Sequence, residues 1–346
     1  MTASFAERIG ALDTAPLIAP EPANPRDSSR LMVVNRGEGT LTGRVFRDIH
    51  EYLNPGDCIV LNNSRVFPAQ ITGKKESGGK AEMLLVRPQG KHWLALSTDI
   101  RAGHRINFEE GFSASVVDRL DSGELVLEFS GDVFEYAARH GVMPLPRYIV
   151  QKRKQEHISA HESDDPAKYQ TVYARERGSI AAPTAGFHFT EELLGKIRAK
   201  GVAVVFVTLH VGWGTFRPIR SGDPSAHKML PEVCEISQET AEAINSARAR
   251  GGRIISVGTT STRTLESMTG EDRVTRAGSM QADIFIYPPY RFRAIDALST
   301  NFHMPDSTPL YLTAAFAGEE LLVRAYEKAA SEKYRFYSFG DAMLII

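Results

Sequence analysis

From residue 56 to about residue 129 the chain alternates short β-rich runs with clusters of turn formers, and from residue 190 it alternates helical and strand-like stretches. That change of texture constrains the fold most. Ser77-Gly78-Gly79, Pro88-Gln89-Gly90, Glu109-Glu110-Gly111 and Asp121-Ser122-Gly123 punctuate runs such as 81–86, 92–96 and 124–128. Turns at such regular spacing predict an antiparallel meander that closes into a small barrel or a sandwich. Met143-Pro144-Leu145-Pro146 and the polar tract 151–165 read as an exit linker.

Beyond it the pattern predicts a helix over 191–200, a strand over 202–209, a helix over 238–250 with Ser237 as N-cap, and a strand over 253–257. A third strand is expected over 283–287. Thr308-Pro309 resembles an N-cap and first-turn proline for a helix over 310–316. A helix over 319–333 and a β-like run over 343–346 complete the reading.

Composition bounds the function classes. With 346 residues, 42% hydrophobic and 24% charged, the chain suits one large or two ordinary globular domains. A net charge of −1 provides no whole-molecule attraction to nucleic acid, so RNA binding would need local patches. The only cysteines, Cys58 and Cys234, exclude a disulfide framework and Cys-rich metal spacings, which fits a reducing cytoplasm. The apolar run 202–209 is too short to span a bilayer, and the N-terminus lacks the basic-then-apolar pattern of a secretory signal.

Four polar segments carry candidate chemistry. Ala182-Pro183-Thr184-Ala185-Gly186-Phe187-His188-Phe189-Thr190 combines hydroxyls, a glycine and an imidazole just before a helix. A helix N-terminus attracts anions, and histidine titrates near neutrality. His210-Val211-Gly212-Trp213-Gly214-Thr215-Phe216 follows a strand, with two glycines that let a ligand approach the backbone. Gly258-Thr259-Thr260-Ser261-Thr262-Arg263 reads as a strand–loop–helix turn suited to an anionic group. The fourth segment runs from Tyr287-Pro288-Pro289-Tyr290 to Asn301-Phe302-His303.

Plainer readings stay open for each. The threonines serve equally as caps, Gly212 and Gly214 as turn residues, His303 as a core histidine, and 182–190 as a helix-entry loop. Ligands of open α/β sheets lie beyond the strands' carboxyl ends, so convergence of these segments on one face would make a pocket. There is no Gly-x-Gly-x-x-Gly after a strand, no Walker loop, no Gly-x-Ser-x-Gly and no His-Glu-x-x-His. Conventional dinucleotide enzymes, NTPases, serine hydrolases and zinc proteases are thereby disfavoured.

The blocks Arg26-Asp27-Ser28-Ser29-Arg30-Leu31-Met32-Val33, Gly56-Asp57 through Leu61-Asn62-Asn63-Ser64-Arg65-Val66, Tyr169-Gln170-Thr171-Val172-Tyr173-Ala174, 182–190, 210–218, 257–267 and 283–288 resemble the S-adenosylmethionine:tRNA ribosyltransferase-isomerases of the queuosine pathway. So do 296–305 with Ser307-Thr308, 315–318 and 334–345, all in the same order. The resemblance implies an open α/β sheet domain, 1–63 and 151–346, interrupted by an inserted antiparallel β-barrel domain over 64–150. It implies transfer of the ribosyl part of S-adenosylmethionine to an aminomethyl-deazaguanine at a tRNA wobble position. The product would be epoxyqueuosine, with adenine and methionine released. No metal and no cofactor beyond that co-substrate are expected; the partner is the tRNA anticodon region, and the enzyme is expected to act as a monomer.

Such chemistry needs a base for the acidic carbon beside the sulfonium, and His188, His210 and His303 are candidates. Co-substrate contacts are expected from Thr184, Ala185, Gly186, Phe187, Gly212, Gly214, Thr215, Thr259 and Thr260, with Arg263 on the methionine carboxylate, Asp283 on a ribose hydroxyl or the amino group, and an aromatic such as Phe187, Trp213, Phe285 or Tyr287 on adenine or the sulfonium. For the tRNA, Arg65, Arg139, Arg147, Lys152, Arg153, Lys154, Arg291 and Arg293 could meet phosphates, and Tyr290 or Phe292 an anticodon base. For residues 152–154 a solvated linker is equally open.

Three places depart from the family pattern. Leu230-Pro231 stands where a histidine and a serine are usual, Pro289 where glycine is, and Pro20 where glutamine is. A relative with a different acceptor and a non-catalytic RNA-binding homologue are therefore the alternative readings.

Overall fold

The computed structural model describes residues 4–216, 219 and 224–346, without the side chains of Thr215 and Phe216. Arg217 and Pro218, at the end of the 210–218 block, lie outside the described residues, as does the Thr215 side chain proposed to bind ligand. Nine strands form one sheet in the order Gly278–Ala282, Glu232–Ile236, Ala203–Leu209, Cys58–Asn62, Ile254–Val257, Ala297–Asn301, Ala342–Ile345, Arg30–Asn35, Thr40–Val45. The four strands from Ala203–Leu209 to Ala297–Asn301 are mutually parallel, and antiparallel partners border them on both sides.

Cys58–Asn62, Ile254–Val257 and Ala297–Asn301 are buried throughout, because helices cover both faces of this centre. One face packs Met32, Val60, Ile254 and Leu298 against Ile244, Leu310, Leu322 and Tyr326. The other packs Leu31, Ile59, Leu61 and Ile255 against Phe189, Leu194 and Ile197.

Local signals act where the sequence places them. Ser237 accepts from the Thr240 amide to start helix Gln238–Ala249, and Thr190 does the same for Glu191–Ala199 through Leu193. The first helix ends at a pair of glycines. A Cβ on Gly252 would lie 2.1 Å from the Gly56 carbonyl oxygen, so only glycine lets the chain turn there into the sheet.

The punctuated region is a closed six-stranded barrel, not a sandwich, in the order Leu125–Phe129, His92–Leu96, Lys80–Gln89, Gln70–Lys75, Arg105–Asn107, Ser113–Arg119. Its interior holds Ile71, Met83, Leu85, Ile106, Val116 and Leu127, and Phe67, Trp93 and Phe134 meet edge-on at one end.

Three expectations are corrected. The tract 151–165 is not a solvated linker. Helix Arg147–Gln155 runs into it and is anchored by Arg153, whose guanidinium is fully buried between Asp165 and Glu21. Residues 283–287 form no strand; the ladder is made just upstream by Gly278–Ala282, an edge strand of mostly exposed residues without apolar periodicity. Ile284 and Ile286 pack on the core from irregular backbone, which explains the misleading pattern. Finally, 258–263 is not a loop but the first turns of the buried helix Gly258–Met268.

Candidate active site

Strands Cys58–Asn62, Ala203–Leu209, Ile254–Val257 and Ala297–Asn301 end on the same side of the sheet, and a cleft opens beyond them. Asn62 ties the ends together. Its amide donates to the Leu209 carbonyl and the Thr260 hydroxyl, both at 3.1 Å, and its oxygen accepts from the Leu209 and Ser64 amides. Next to it, Gly258 adopts a φ of +85°, which turns the chain directly from strand into helix. A Cβ there would sit 3.4 Å from Ala185. Thr262 and Thr264 back-bond to the carbonyls of Gly258 and Thr260, whereas Thr259 and Thr260 line the cleft.

Thr184 and Ala185 form the facing wall, on a short 3₁₀ turn. From Thr184 a hydrogen-bonded chain runs inward. Its hydroxyl donates to Asn301 Oδ1 (3.0 Å), Asn301 Nδ2 meets His188 Nε2 (3.2 Å), and His188 Nδ1 meets Ser29 Oγ (2.7 Å). With Nε2 accepting from the amide, the proton resides on Nδ1 and points at Ser29. The imidazole stacks on Phe46 with centroids 4.8 Å apart and is 3% exposed. Burial, reinforced by the charges of Arg335 and Arg26, pushes it down to about 3, so it is neutral at physiological pH.

The three histidines therefore separate. His303 lines the cleft, with Nε2 on the Thr300 hydroxyl at 2.7 Å, and burial pushes it down to about 3. His188 lies one layer behind the wall with both nitrogens engaged, and so does not present a base to the cleft. His210 sits to the flank, hydrogen-bonded to Ser64 and packed against Gly178; burial lowers its pKa against the opposing pull of Glu176 and Glu235.

Several expected ligand contacts are occupied otherwise. Arg263 is buried and ion-paired to Glu232, and its other nitrogens donate to the carbonyls of Ile284 and Ala282. Its charge is thus neutralised within the protein rather than held for a carboxylate. Gly186 backs onto Tyr173, whose hydroxyl would lie 2.0 Å from an added Cβ. Phe187 is core, against Tyr169 and Phe339. Asp283 is exposed away from the cleft, and Tyr287 packs on Phe285. The Gly212 amide donates to Glu232, and Gly214 is pressed against Leu230, one of the departing residues.

Sequence reasoning missed Tyr148, Tyr169, Tyr337 and Ser338, which line the cleft from helix Arg147–Gln155, from the end of the short helix Asp165–Lys168 and from the C-terminal loop. Tyr148 bonds Ser338 through its hydroxyl, and burial pushes it up to about 12. Nothing in the sequence singled it out, since it falls between the two stretches read as linker, 143–146 and 151–165. A smaller lobe, lined by Met229, Arg263, Phe285 and Leu312, adjoins the cleft through Thr259, Thr260 and Pro309.

The cationic expectations divide similarly. Arg65, Arg147, Lys154 and Arg291 are exposed. Lys152 pairs with Glu156, Arg139 with Glu110 and Glu135, and Arg293 with Glu271. Arg153 is withdrawn altogether, because its buried ion pairs leave nothing for a phosphate. Tyr290 and Phe292 pack edge-on against each other, Tyr290 donating to Glu266 and Phe292 meeting Phe316.

Residues 13–345 match the family model described as queuosine biosynthesis protein. The chain belongs to that family. Among members of the queuosine biosynthesis family, an S-adenosylmethionine:tRNA ribosyltransferase-isomerase from Symbiobacterium thermophilum is 50% identical over 339 residues, covering 95% of this chain and 96% of that protein. Another from Clostridioides difficile is 48% identical over 337 residues, with the same coverage. The crystal structure of an S-adenosylmethionine tRNA ribosyltransferase from Thermotoga maritima is 34% identical, covers 97% of this chain and 98% of its own, and superposes with a TM-score of 0.54. Among the described residues no helix is long and apolar enough to cross a membrane.

Proposed function

We propose that this chain transfers and isomerises the ribosyl moiety of S-adenosylmethionine onto 7-aminomethyl-7-deazaguanine at the wobble position of a tRNA anticodon, giving epoxyqueuosine-tRNA with release of adenine and methionine. The observation that carries the reading is near-full-length similarity to relatives bearing that activity's name. The hydroxyl-lined cleft at the sheet's carboxyl edge supports it as the co-substrate site, because ligands of such sheets bind there.

Within that reading, Thr184, Ala185, Thr259 and Thr260 contact the co-substrate. His303, which faces the cleft with Nδ1 unengaged by any described residue, is the group placed to take the proton beside the sulfonium. His188 acts through Asn301, holding its amide so that the Thr184 hydroxyl keeps one orientation. Arg65, Arg147, Lys154 and Arg291 supply phosphate contacts. The proposed domain division, 64–150 within 1–63 and 151–346, is supported by barrel strands that all fall between Gln70 and Phe129.

The test is incubation with S-adenosylmethionine and tRNA carrying the aminomethyl-deazaguanine, followed by mass spectrometry of nucleosides and free adenine. Epoxyqueuosine with stoichiometric adenine is expected. Adenine without epoxyqueuosine would point to another acceptor, and S-adenosylhomocysteine would point to a methyltransferase.

A further inference from the structure

Tyr337 lines the cleft with a φ of +70°. Among the described residues the other non-glycine positions with positive φ are Glu110, His157, Arg273 and Lys333, all exposed and polar. Tyr337 is instead a half-buried aromatic, a poor residue for left-handed backbone because its Cβ crowds the following carbonyl.

The surroundings enforce the conformation. The Tyr337 amide donates to the Phe302 carbonyl at 3.0 Å, its own carbonyl accepts from Gly340 at 3.0 Å, and its hydroxyl lies 2.9 Å from Thr14 Oγ1. Its ring meets Tyr148 edge-on at 5.2 Å. Strain retained at a ligand wall, where glycine or asparagine would fold more comfortably, points to a side chain kept for contact.

The cleft lining includes two kinds of surface, the rings of Tyr148 and Tyr337, which meet each other, and the hydroxyls of Thr184, Thr259 and Thr260. A flat, π-rich ring suits the first, and the hydroxyls of a sugar suit the second.

We propose that Tyr337 is the platform on which the adenine ring of S-adenosylmethionine rests, a role that depends on the function proposed above. The ribose then lies along the threonines.

The test compares wild type with Tyr337→Phe, Tyr337→Ala and Tyr337→Gly, reading thermal stability together with calorimetric binding of S-adenosylmethionine, adenosine and methionine. The phenylalanine variant should bind S-adenosylmethionine within about threefold of wild type, since the stacking face remains. Alanine and glycine should each weaken S-adenosylmethionine and adenosine by about 5- to 150-fold and leave methionine unchanged. The glycine variant should melt about 1–3 °C above the alanine variant, reversing their usual order. Equal S-adenosylmethionine affinity in wild type and the alanine variant overturns the proposal while leaving the function intact. So does a loss confined to tRNA binding, or alanine melting no lower than glycine. If wild type itself fails to bind S-adenosylmethionine, it is the underlying function that fails.

Discussion

Replacing Arg263 by methionine should cost the protein much of its stability. Arg263 is 6% exposed and its partner Glu232 4%, so truncation removes an ion pair from a carboxylate held in the interior. That carboxylate keeps the Gly212 amide at 2.8 Å but loses its pairing with Arg263. The Ile284 and Ala282 carbonyls lose a donor as well. Removing one partner of a buried pair costs about 3–5 kcal/mol.

An unfolding entropy of about 2.1 cal/mol/K per residue, over 346 residues, amounts to about 0.7 kcal/mol/K. The expected fall in Tm is therefore about 4–7 °C. Urea denaturation of Arg263→Met, of Glu232→Leu and of the double variant forms the assay. The double variant should recover at least half of the summed loss, because an apolar pair of similar volume leaves no buried charge. A loss under about 1 kcal/mol in both single variants, or weakened S-adenosylmethionine binding by fully folded Arg263→Met, would refute the structural assignment and return the arginine to the ligand.

The pH dependence of stability has a definite sign. His188 is pushed down to about 3 in the folded chain, so below its unfolded value of 6.5 the unfolded state binds the extra proton. Stability present above pH 6.5 should fall by about 2 kcal/mol between pH 7 and pH 5 from this residue, and His188→Gln should remove that share of the slope in denaturant titrations. The same substitution should lower kcat by about 5- to 30-fold with KM for tRNA unchanged, and Asn301→Ala should add little to it, since both act through Thr184. His303→Gln should leave S-adenosylmethionine binding measurable by calorimetry while reducing single-turnover adenine release by about 100-fold or more. In tRNA binding, Arg65→Ala should reduce the salt slope by roughly one charge, whereas Arg153→Ala should lower Tm and leave that slope alone.

Much of the fold follows from short-range signals. Turn clusters at 77–79, 88–90, 109–111 and 121–123 mark the barrel's connections. Ser237 and Thr190 cap helices whose ends the sequence also announces. Edge strand Gly278–Ala282 and the 147–155 helix escape that reading, because neither has apolar periodicity. The helix is defined by the ion pairs of Arg153 with Glu21 and Asp165, partners 132 and 12 residues away.

The cleft shows the same division. The sequence by itself pointed to three of the segments that gather there, 182–190, 258–263 and 301–303, whereas 210–216 contributes only Val211 and 287–290 nothing. It could not assign the side chains. Arg263, Gly186, Phe187 and His188 share the polar or flexible character of ligand contacts, yet the packing turns them toward Glu232, Tyr173, Phe339 and Asn301. Tyr148 and Tyr337 come from segments 189 residues apart that only the closed sheet brings together. Residue type and local pattern set secondary structure and its order; which way a side chain faces depends on contacts between distant segments, and these exist only once the sheet has formed.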